Sequence, residues 1–87
     1  MANTDIEATI SELRRRRNGL GYGDLVKLME RAGCIVKPTQ EGCLVRHPEV
    51  RGDMATVARP HGRAAGNKVK EPYVKNCIRL LEDVQEG

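Results

Sequence analysis

At 87 residues the chain has room for one hydrophobic core, which excludes a multidomain reading. With no Trp, no Phe and two Tyr, that core has to be aliphatic, and sparse aromatics argue against an extended stacking platform for single-stranded nucleic acid. A formal net charge of +3 favours anionic partners without reaching that of a nucleic-acid-coating tail, and no apolar run is long enough to cross a membrane.

The placement of charge says more than its total. Residues 1–13 are acidic, residues 14–17 are four arginines, and Arg46, Arg51, Arg59, Arg63, Lys68 and Lys70 face only Glu49 and Asp53 over residues 43–70. The positive field therefore concentrates on the middle of the chain.

Thr4 and Glu7 have capping-box spacing, and Ile6, Ile10 and Leu13 follow at helical intervals, which predicts a helix from about Asp5 to Arg17 that stops at Asn18-Gly19. The arginines then sit where a helix C-terminus favours cations. Gly19, Gly21 and Gly23 predict a flexible connection that leaves this first helix loosely packed. Its apolar stripe mediates homo-oligomerisation unless the domain itself uses it.

Leu25, Leu28, Met29 and Ala32 share one face of a second helix, Asp24 to Ala32, with Gly33 as its stop. Two β-rich runs follow, Cys34 to Lys37 and Cys43 to His47, separated by Pro38 to Gly42, and they read as an antiparallel hairpin. Pro48 to Asp53 reads as a second turn and Met54 to Arg59 as a third strand, after which Pro60, Gly62 and Gly66 impose an irregular loop. Glu71-Pro72 opens a last helix whose stripe is Val74, Cys77, Ile78 and Leu81, reaching about Val84. The fold class is α+β: a helix at residues 1–18, then a domain over residues 22–87 with an α-β-β-β-α core of the double-stranded-RNA-binding-domain kind.

Cys34, Cys43 and Cys77 are odd in number and read as free thiols of a cytoplasmic protein. A metal site from Cys34, Cys43, His47 and His61 lacks a CxxC knuckle and has no common zinc spacing, so no metal is expected.

Three pieces in order carry a resemblance: Gly23-Asp24-Leu25-Val26-Lys27-Leu28, Val45-Arg46-His47-Pro48, and Lys70-Glu71-Pro72-Tyr73-Val74-Lys75 after a basic, Gly-rich stretch. From Tyr22 onward the chain resembles the HicA, or YcfA-like, family of messenger-RNA-cleaving toxins. The resemblance implies a metal-independent endoribonuclease without a cofactor, RNA as the substrate, and a HicB-type antitoxin as the partner. It also places the family's catalytic histidine, counted back from Pro48, at Gly42, and a glycine cannot move the proton that cleavage requires. Loss of a positioned acid or base costs about 10²- to 10⁴-fold in rate.

His47 is the substitute with suitable chemistry, although its strand position points its side chain opposite to that of Gly42. Arg46, Arg59, His61, Arg63, Lys68, Lys70 and Lys75 form the expected RNA footprint, since A-form RNA is gripped through its shape, phosphates and 2′-hydroxyls. Two readings stand: a toxin scaffold whose histidine is missing, and a noncatalytic domain of the same fold that binds structured RNA or a protein.

Overall fold

The computed structural model describes residues 2–60 and 68–86. The order is α1 (Ala2–Arg16), α2 (Tyr22–Arg31), β1 (Ile35–Pro38), β2 (Gly42–His47), β3 (Val50–Ala58) and α3 (Glu71–Glu86). The strands form one antiparallel sheet, β1-β2-β3, with β2 in the centre. The class is α+β with three helices, as the periodicities imply.

Alternation along the strands makes the sheet two-faced. Cys43, Val45, Ala55 and Val57 are buried, whereas Arg46, Met54 and Thr56 are exposed and Leu44 is half-buried. Helix α3 lies on β3 and β2, α2 lies on β1, and α1 packs on α3 and α2. Among the described residues no element packs on the other face of the sheet, where Ile35 and Met54 are the large exposed hydrophobics.

The first helix departs from expectation. It begins at Ala2, so Thr4 lies within the helix rather than at its start. It is not loosely attached: Ile6, Ile10 and Leu13 are buried in the same cluster as Leu25, Val57 and Leu81. Burial of this kind stabilises by roughly 1.5–3 kcal/mol per side chain. The stripe offered for homo-oligomerisation is therefore spent inside the domain.

The Gly19 to Gly23 connection is also fixed. Leu20 is completely buried, its carbonyl accepts a 2.8 Å hydrogen bond from the Val69 amide, and Gly21 bridges to Lys68. A buried leucine between the glycines outweighs their backbone freedom.

Strand β3 starts four residues earlier than the pattern predicts, which shortens the turn after β2 to Pro48-Glu49. Arg46 pairs with Met54 but His47 with Val50, so Arg51, Gly52 and Asp53 are accommodated as a bulge. The exposed polar residues of a bulge look like a turn in the sequence.

Gly33 ends α2 as predicted. At φ +90°, it donates to the Glu30 carbonyl at 3.0 Å while Cys34 donates to Met29 at 3.0 Å, the paired bonds of a Schellman stop.

Candidate nucleic-acid interface

Helices α2 and α3 both begin at the Gly42 end of the molecule. Tyr22 opens α2 beside Arg59, the residue after β3, whose guanidinium lies 5.5 Å from the Tyr22 ring centroid. The bridge from Gly21 to Lys68 brings the chain back to that place just before Glu71 opens α3. Arg59, Lys68 and Lys70 are all exposed there, and none has an ion pair among the described residues. Gly21 caps α2 without a side-chain hydrogen bond, so the first amides of that helix add to the positive field.

The C-terminus of α1 arrives at the same end and neutralises local carboxylates. Arg16 pairs with Asp24 at 3.1 Å and Arg17 with Glu71 at 3.1 Å. Arg15 and Arg16 hold Glu12, and Arg14 pairs with Glu82. The hydrogen bond from Arg15 holds the Glu12 carboxyl below its ordinary titration range, against a smaller opposing contribution from burial. The arginine run is thus mostly consumed by ion pairs, and the described cations left without one at this end are Arg59, Lys68 and Lys70. Lys75 is tied more weakly to Glu71, at 3.9 Å.

Arg46 does not join this group. It lies four residues along β2 from Gly42, ~13 Å at strand rise, on the sheet face away from the helices. There it lines a groove of about 400 Å³ with Ile35, Pro48, Arg51 and Met54. His61 and Arg63 lie outside the described residues.

Neither position considered for proton transfer is available for it. Gly42 is buried at the β1–β2 turn, where its amide donates to the Thr39 hydroxyl at 3.1 Å and its carbonyl accepts from the Thr39 amide at 2.9 Å. A Cβ built there would lie 1.9 Å from the Val57 carbonyl oxygen and 2.7 Å from the Arg59 amide. The strand has no space for a side chain at this point, so a histidine cannot occupy it with the present register.

His47 points inward and is buried. Its Nδ1 accepts a hydrogen bond from the Glu49 amide at 3.1 Å, which makes the neutral ring's other nitrogen a donor. That Nε2 donates to the Ala32 carbonyl at 3.2 Å, one of the carbonyls that a helix C-terminus leaves without an internal partner. Both nitrogens are committed to joining the end of α2 to the turn between β2 and β3. In this arrangement the ring acts as a structural clamp.

The three free cysteines are all buried. Burial pushes the Cys34 thiol up to about 11 and the Cys77 thiol up to about 12, so both remain protonated at neutral pH. Cys43 is buried beneath Tyr22, whose phenol is pushed upward by burial first and by the hydrogen bond with Cys43 second. Sequence reasoning missed this Tyr22, Arg59 and Cys43 arrangement because the three come from different elements with no periodic relation.

Set against known proteins, the chain matches no protein-family model, no curated protein and no solved structure.

Proposed function

We propose that this chain is a noncatalytic RNA-binding domain that grips the phosphates of folded, A-form RNA at the end where α2 and α3 begin. The observation that carries this reading is the convergence on two helix N-termini of Arg59, Lys68 and Lys70, which have no ion pair among the described residues. Positive side chains and unsatisfied helix amides at one place suit phosphate oxygens. The α-β-β-β-α order after α1, with helices on one face of the sheet, agrees with a double-stranded-RNA-binding or HicA-like scaffold. Shape-based recognition needs no aromatic platform, in keeping with a chain of two tyrosines.

The toxin reading, with a HicB-type antitoxin as partner, requires a group that moves a proton. Gly42 has no room for one, and the ring nitrogens of His47 are both occupied. Binding without cleavage is the reading these contacts favour.

Fluorescence anisotropy with a labelled RNA duplex of about 20 base pairs, long enough for a shape-reading domain, tests the proposal. Affinity is expected to fall linearly in log-log form with salt. Replacing Arg59, Lys68 and Lys70 by Ala is expected to reduce that slope by about three, one for each lost phosphate contact. The same RNA incubated in EDTA is expected to stay intact. No binding at about 50 mM salt, a regime that favours phosphate contacts, overturns the reading. Cleavage of the duplex overturns its noncatalytic part.

A further inference from the structure

Between α2 and the edge strand β1, the packing leaves a cleft of about 260 Å³ lined by Tyr22, Val26, Glu30, Val36, Pro38 and Cys43. Its helical wall is built from positions four apart, Tyr22, Val26 and Glu30, which fall on one face of α2 and extend ~12 Å at helix rise. The opposite wall is Val36 and Pro38, with Cys43 in register beside Pro38. Tyr22, Val26 and Val36 are only partly buried although they pack against the core. Because β1 is an edge strand, nothing in the sheet closes that side.

The two ends of the cleft differ in charge. At the Tyr22 end stands the Arg59 guanidinium, stacked on the ring and continuous with Lys68 and Lys70. At the other end Glu30 is exposed and has no ion pair among the described residues. An occupant must therefore be anionic at one end, apolar through the middle and a hydrogen-bond donor at the far end, since an ionised carboxylate only accepts.

We infer that this cleft receives one unpaired guanine base from a bound RNA, with its backbone phosphate at Arg59, its body between the Tyr22-Val26 and Val36-Pro38 walls, and its donor edge at Glu30. The inference rests on the RNA-binding reading above and adds base selectivity to it. Unpaired bases in loops and bulges are the part of an RNA that a protein can read, by stacking on aromatic or guanidinium planes and by bonding their exposed edges. Guanine suits Glu30 because its exocyclic amino group and adjacent ring N–H present two donors to one carboxylate, whereas adenine and cytosine present a single amino group.

The test compares an RNA duplex carrying a single unpaired guanosine with the fully paired duplex and with duplexes carrying an unpaired adenosine or uridine. The chain is expected to bind the guanosine bulge about tenfold tighter than the paired duplex, as one stacked base allows. Val26→Phe, which fills the cleft, is expected to abolish that preference and leave affinity for the paired duplex unchanged. Glu30→Gln changes an exposed residue and is expected to keep the preference for a bulge while losing that for guanosine over adenosine. Equal affinity of the unsubstituted chain for bulged and paired duplexes overturns the cleft assignment alone, as does a Val26→Phe protein that keeps the preference. Loss of binding to every RNA overturns the cleft assignment together with the RNA-binding reading.

Discussion

The two ends of β2 are held by opposite means. At Gly42 the strand is fixed by the absence of a side chain, since the backbone of Val57 to Arg59 occupies the space that a Cβ would need. At His47 it is fixed by a side chain that uses both ring nitrogens to tie Ala32 and Glu49 together. The Gly42 end also collects the starts of α2 and α3 with Arg59, Lys68 and Lys70, whereas the His47 end collects the close of α2 and the acidic last turns of α3. The molecule is polarised along its strands, and the residues that invite a catalytic reading are the ones that fix that polarity.

The largest expected effect comes from placing a side chain at Gly42. Gly42→Ala is expected to destabilise by about 3 kcal/mol or more, the upper range for overpacking, and Gly42→His to unfold the chain further rather than to create a nuclease. Urea denaturation checks this, and a Gly42→His protein of undiminished stability would remove the close contact from the account.

At the opposite end His47→Phe keeps ring bulk but leaves the Ala32 carbonyl and the Glu49 amide without their partner. The expected loss is about 2 kcal/mol, from unsatisfied polar groups rather than from a cavity. A Phe variant as stable as the parent would mean that packing alone holds this end.

The smallest effect separates the ends by the sign of their pH dependence. The Asp83 carboxyl is pushed above its ordinary range, first by its hydrogen bond with Asp53, then by burial and by repulsion from Asp53 and Glu86, with Arg79 opposing. The folded state then binds that proton more tightly than the unfolded chain, so Asp83 contributes most stability below its unfolded value and loses it as pH rises through the raised one. Glu12, held low by Arg15, has the reverse sign: its contribution is present above the ordinary carboxyl value and is lost as pH falls through the lowered one. Asp83→Asn is expected to flatten the stability profile over its window, and Glu12→Gln to flatten the acid limb instead. Thermal unfolding across the acid range reads both, and identical profiles for the two variants would contradict the opposed signs.

Much of the architecture was legible in the residues themselves. The stripe of Val74, Cys77, Ile78 and Leu81 gave α3, Leu25 and Met29 gave α2, and Gly33 closed it, because helical periodicity and a positive-φ stop are local properties. The hairpin of β1 and β2 followed from two β-rich runs around a breaker. The start of β3 was not legible, since a bulge of Arg51, Gly52 and Asp53 has the composition of a turn. The attachment of α1 was not legible either, because a glycine-rich connection does not show that Leu20 between the glycines is buried.

The sequence by itself determined the α+β class, the aliphatic core and the net positive charge, all of which depend on composition and on spacing within one element. Tertiary structure decided which described cations lack an ion pair, that Gly42 has no room, that His47 is a clamp, and that Tyr22 and Arg59 meet above Cys43. Those outcomes depend on the approach of segments far apart in the chain. Periodicity records which face of an element is apolar, but not what that face will meet.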